Sequence, residues 1–146
     1  MKLLPGLRVL ANDPGVDLGF ATYTIGDEIK TIKSWQGRYT HHQFIRILIE
    51  LQSDIIVQES FDHRVKDNTN YTAVEYIGLV KWYVEDSDCQ LFFQTPSYGK
   101  SYFTAEKLKK LGLYVPGKDH EDEMMAVKHM LMFLMDNNAF DLRLLK

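Results

Sequence analysis

The chain contains one cysteine, Cys89, in 146 residues. A disulfide needs two cysteines and a thiolate zinc site needs more, so neither can be built within the chain, and a reducing, cytoplasmic setting is expected. A long apolar run is missing too. No window approaches the roughly 18 consecutive apolar residues of a membrane span. The opening MKLLPGLRVLANDPG is interrupted by Pro5, Gly6 and Arg8, with no small-residue cleavage site behind it. That segment reads as a lead-in to a strand, and the chain as a soluble protein with no membrane partner. Basic charge is not in excess: 17 Lys and Arg stand against 20 Asp and Glu, a net charge of −3. Taken alone, that balance argues against a nucleic-acid partner, because phosphate binding is driven by Lys and Arg. No Ser/Gly linker, internal repeat or low-complexity tract divides the sequence, so a single domain spanning 1–146 is expected.

What is present is 45% hydrophobic, 25% charged and 12% aromatic, the composition of a folded globular chain. The charge is also unevenly distributed. Between Ser97 and Lys118 stand Lys100, Lys107, Lys109, Lys110 and Lys118 against the single acid Glu106, and then DHEDE places four acids in five residues, Asp119 to Glu123.

Hydrophobic patterning predicts strands first. Leu7 to Asn12 is a compact apolar run, Gly19 to Ile25 is rich in Phe, Tyr and Thr, and Glu28 to Trp35 alternates, with Ile29, Ile32 and Trp35 as burial candidates. Gly15, Gly19 and Gly26-Asp27 supply turns for an antiparallel three-stranded meander. Thr40 reads as an N-cap before Phe44, Ile45, Leu48, Ile49 and Leu51 at helical spacing. Asp54 to Gln58 is a wholly buried strand ending at Glu59. A helix over Asn68 to Val84, a strand over Cys89 to Phe93, and helices over Ser101 to Leu111 and Asp119 to Met135 complete the order. The expectation is an α/β fold: a mixed five-stranded sheet, three antiparallel strands then two parallel, flanked by helices.

Within such a sheet the acids converge. Asp13 ends the first strand, and Glu59 ends a strand that should lie beside it. Asp119, Asp122 and Glu123 share a face of the last helix, since residues three and four apart are neighbours there. Acids gathered around one point repel, and hard divalent cations neutralise them; oxygen-only ligation selects Mg²⁺ or Mn²⁺. Two such ions about 4 Å apart serve in-line phosphodiester hydrolysis, so nucleic acid is the natural substrate. The histidine pair His41-His42 has no third ligand near it in sequence and reads as a surface feature, as do Asp17 and Glu75.

Three blocks carry a resemblance. ANDPGVDLGFATYTI resembles the opening hairpin of RuvC-type Holliday junction resolvases of the RNase H-like superfamily. DIIVQESFDHRVKDNTNYTAVEYIGLVKW resembles that family's strand, binding loop and long helix. TPSYGKSYFTAEKLKKLGLY with KDHEDEMMAVKHMLMFL resembles its basic helix and closing acidic helix. The resemblance implies an RNase H-like fold and a crossover junction endodeoxyribonuclease with two Mg²⁺ (or Mn²⁺) ions per site, producing a 5′-phosphate. It matches Asp13 to the first metal ligand and Glu59 to the second. The closing pair, spaced three apart, is either Asp119 with Asp122 or His120 with Glu123. The first is preferred, which leaves Met124, Met125, Val127 and Leu131 for the core and His120 as an outer general acid/base group. Phe61 is a candidate to stack on an unpaired base, and Arg64, Lys66, Lys100, Lys107 and Lys110 are candidate phosphate contacts. Tyr71, Tyr76, Trp82 and Tyr83 exceed what one core needs on the Asn68 to Val84 helix, and a homodimer through that helix is expected. Short length and divergent spacing suggest a bacteriophage member acting in host cytoplasm on junctions, forks and flaps. The competing readings are a YqgF-like nuclease acting on RNA and an inactive binding module.

Overall fold

The protein is described by a computed structural model covering residues 1–61, 71–99 and 101–146. The predicted meander forms. Strand β1 (Arg8–Asp13) pairs antiparallel with β2 (Leu18–Thr24), which pairs antiparallel with β3 (Lys33–Gly37). Helix α1 (His41–Leu51) opens with a capping box: the Thr40 hydroxyl accepts from the Gln43 amide at 3.1 Å, and the Gln43 side chain accepts from the Thr40 amide at 2.9 Å. Strand β4 (Ile55–Glu59) lies parallel to β1, and after helix α2 (Thr72–Glu85), strand β5 (Gln90–Gln94) lies parallel to β4. Helices α3 (Ala105–Lys110) and α4 (Glu121–Asp136) follow, and a 3₁₀ turn at Leu142–Leu145 closes the described chain. The sheet order is β3-β2-β1-β4-β5, the expected mixed five-stranded sheet.

The period-2 alternation of each strand divides its side chains between two cores. Leu10, Leu18, Phe20 and Ile56 pack on one face against Phe44 and Leu48 of α1 and Tyr76 and Val80 of α2. Val9, Ala11, Ala21, Ile55 and Val57 pack on the other against α4, through Val127, Met130, Leu131 and Leu134. Ala11 and Ala21 are directly paired, and their small side chains let α4 settle close to the middle of the sheet.

Three expectations need correction. The stretch Glu28 to Trp35 is not one strand: a 3₁₀ turn at Ile29–Thr31 precedes β3, and it still buries Ile29 and Ile32, so the alternation reported burial rather than strand geometry. Gly19 is not a turn residue but lies inside β2. Helix α4 starts at Glu121, because Lys118–His120 form a separate 3₁₀ turn that carries Asp119. Of the predicted Asn68 to Val84 helix, residues 68–70 lie outside the described residues, as do Arg64, Lys66 and Lys100. No helix among the described residues is long and apolar enough to cross a membrane.

Candidate active site

One row of residues crosses all five strands on the α4 face. Gln36 of β3 pairs with Gly19 of β2, and Gly19 with Asp13 of β1. Asn12 pairs with Gln58, so continuing that register by one residue sets Asp13 beside Glu59, and Glu59 pairs with Gln94 of β5. Helix α4 touches every member of the row. The Gln36 Oε1 accepts from the amides of Asp122 and Glu123, at 2.9 and 3.0 Å. No residue adjoining α4 caps its start, so β3 satisfies two amide donors that would otherwise be orphaned there. A Cβ on Gly19 would overlap the Asp122 carbonyl. The missing side chain thus lets the first turn of α4 descend onto β2 and bring Asp122 to Asp13.

Asp13 is buried, with 5% of its surface exposed, and it hydrogen-bonds with both Glu59 and Asp122. Burial, reinforced by repulsion from Glu59 and Asp122, pushes its carboxyl from 3.8 up to about 9. Asp122 is also raised, first by burial, against the lowering effect of its hydrogen bond with Asp13, with added repulsion from Asp17, Glu121 and Glu59. A proton shared within this trio relieves the repulsion, and a divalent cation is the other way to do so. All three groups are carboxylates at the ends of rigid elements, a donor set that fits a hard, oxygen-preferring ion. Among the described residues no group of three or more His, Cys, Asp or Glu is arranged to hold a metal ion as the side chains stand.

The structure separates the closing acids. Asp122 meets Asp13, while Glu123 turns toward β3, accepting from the Ser34 hydroxyl at 2.5 Å and contacting His120 Nδ1. Asp119 is exposed on its 3₁₀ turn and is not among the groups that raise Asp13 or Asp122. The shared helix face expected for Asp119, Asp122 and Glu123 therefore does not form, because the helix starts two residues later. Asp17, expected to be merely solvated, pairs with Arg38 at 2.8 Å and acts on Asp122.

Sequence reasoning missed the partner of Glu59. His129 is fully buried on α4; its Nε2 lies 2.8 Å from Glu59 Oε2 and its Nδ1 2.6 Å from Gln94 Oε1. It stands seven residues after Asp122, two helical turns along the same face, and directly precedes the apolar run MLMFL. That spacing is the signal that could have found it.

The candidate nucleic-acid contacts fare unevenly. Phe61, two residues after Glu59, is half-buried and tilts against Tyr71 at 6.5 Å between ring centroids. Lys107 lies over the Tyr102 ring, 3.8 Å from its centroid, and donates to the Tyr102 carbonyl at 2.9 Å. Lys110 stands at the other end of the sheet. It lines a cavity of about 1010 Å³ with Ile25 and Gly26, at the end of β2 roughly 17 Å from the acids by strand rise, and its Nζ is 3.4 Å from the Leu145 carbonyl. Nearer the acids, a groove of about 700 Å³ is lined by Asp122, Tyr114, Lys118 and Lys128.

No protein-family model matches the chain, and no curated protein matches it in sequence. Solved structures share its fold. The fowlpox virus Holliday junction resolvase superposes with a TM-score of 0.63 at 15% identity, over 89% of this chain and 99% of that one. The Thermus thermophilus RuvC structure gives 0.60 at 13%, over 91% and 98%. RuvC from T. thermophilus in complex with Holliday junction substrate gives 0.61 at 14%, over 89% and 96%. At such identities the likeness is one of fold.

Proposed function

We propose that this chain is a divalent-metal-dependent endodeoxyribonuclease that cuts Holliday junctions and other branched DNA, forks and flaps included, leaving a 5′-phosphate. The observation that carries the reading is the meeting of Asp13, Glu59 and Asp122 at the carboxyl ends of two adjacent parallel strands, under a buried helix. It is supported by a fold shared with resolvases, two of them crystallised with junction DNA. Asp13, Glu59 and Asp122 would hold two Mg²⁺ or Mn²⁺ ions; bound ions supply the Lewis-acid charge that phosphodiester hydrolysis requires.

The protein's own contribution is placement. Gly19 and Gln36 fix the height of Asp122, and His129 fixes Glu59. Burial of Asp13 keeps bulk water from screening the trio. The groove holding Lys118, Lys128 and Tyr114 beside Asp122 gives the strand flanking the reacting phosphate a path with positive charge and a ring. In this reading Phe61 stacks on a base next to Glu59, and Arg64, Lys66, Lys100 and Lys107 are phosphate contacts.

A homodimer belongs to the same reading. Tyr76 and Tyr83 turn inward, but Tyr71, Val74, Gly78 and Trp82 form an exposed stripe along α2, with nothing near a Cβ built on Gly78. Two active sites related by a two-fold axis suit a junction with two equivalent strands. The test is Mg²⁺-dependent cleavage of a four-way junction, a fork, a flap, linear duplex and RNA by native protein and Asp13→Asn. Cutting of the branched DNAs, lowered about 10³-fold or more in the variant, supports the proposal. Preferential cutting of RNA would overturn the substrate, and binding with no cutting by either protein would overturn catalysis.

A further inference from the structure

His129 is a buried titratable side chain that the ion-holding trio does not itself include. A fully buried imidazole must have both ring nitrogens satisfied, and a ring kept only for packing would find backbone carbonyls or other structural groups. This one reaches instead to two strand ends, Glu59 of β4 and Gln94 of β5, which are paired in register. Glu59 is 15% exposed on its side chain, so it stands at the boundary between the core and the site. Its carboxylate interacts with Asp13 and, through Oε2, with His129.

A free glutamate side chain has three rotatable bonds, and ordering it costs entropy each time a cation binds. Here that order is already imposed, because the ring is clamped by Gln94 behind it and by the packing of α4 around it. We infer that His129, braced by Gln94, is the positioning residue that holds Glu59 toward Asp13 and so sets the affinity of the site for divalent cations. This inference rests on the proposed cation site and concerns a group outside it: His129 acts through Glu59 and touches neither ion nor substrate.

The test is calorimetric titration of Mn²⁺ into the native protein and into His129→Leu, His129→Gln, Gln94→Leu and Asp13→Asn, with thermal unfolding of each. Removing an outer-shell partner of a metal ligand typically costs 10- to 100-fold in affinity. His129→Leu, folded by its unfolding transition, is expected to bind Mn²⁺ about 10- to 100-fold more weakly, and His129→Gln, which restores an amide to Glu59, to recover part of the loss. Gln94→Leu is expected to weaken binding less, and it tests the same bracket if His129→Leu does not fold. A lowered melting temperature with unchanged Mn²⁺ affinity would overturn the inference and leave His129 a core residue. Native protein that binds no Mn²⁺, or Asp13→Asn that binds it as well as native, would instead overturn the cation site itself.

Discussion

The two ends of the sheet are built to different rules. At the carboxyl end of β1 and β4 lie all five of the buried polar or charged residues among those described: Asn12, Asp13, Gln58, Glu123 and His129. At the opposite end, Tyr23, Ile25 and Leu111 border the larger cavity, and the buried side chains there are apolar or have an apolar body. Buried polar groups cost free energy unless paired, so a fold selected for stability alone would spread or remove them. Their collection at one end sets the candidate site apart from the rest of the core, and the larger of the two cavities described above is not at that end.

Changes at either end should therefore separate stability from ion binding. The largest expected effect is on the acids. Because the folded pKa of Asp13 is raised from 3.8 to about 9, the native state holds a proton that the unfolded chain has released. Its contribution to stability is fully present below about pH 4 and is lost as pH rises toward about 9. Thermal unfolding of ion-free protein between those limits should show a melting temperature falling by several degrees, a slope that Asp13→Asn flattens and Mn²⁺ reverses. At the apolar end, Ile25→Ala should cost about 2 kcal/mol, the low side of the range for such truncations because the site borders open space. Urea unfolding measures it, and Mn²⁺ affinity of the folded variant should stay native. The smallest effect is expected at Gln36→Leu, where two amides of α4 lose their acceptor: about 1 kcal/mol, read by the same unfolding, with cleavage reduced more than stability because Asp122 is released.

How legible all this was depends on sequence distance. The acids at strand ends could be read because an apolar run such as DIIVQ announces its own end, and the strand order followed from the alternation of strands and helices. The register of the closing acids could not be read: adjacent residues on a helix differ by about 100° in direction, and whether Asp122 or Glu123 meets Asp13 is decided by Gly19, more than 100 residues earlier. His129 was hidden for a related reason. In a run of methionine, leucine and phenylalanine it scores as core, and its partners Glu59 and Gln94 lie on other strands. Where Lys110 stands was not legible either, because charge in sequence says nothing of which end of the sheet a helix covers.

The row from Gln36 to Gln94 has a consequence for the order of folding. Its bonds join positions 86, 70 and 35 residues apart, so none can form from local structure, and each must await the collapse of a long loop. Pairing of β1 with β4 sets Asp13 beside Glu59, and only when α4 has docked does Asp122 join them. A chain in which α4 has not docked holds Asp122 apart from the other two carboxyl groups, so the trio is completed late in assembly.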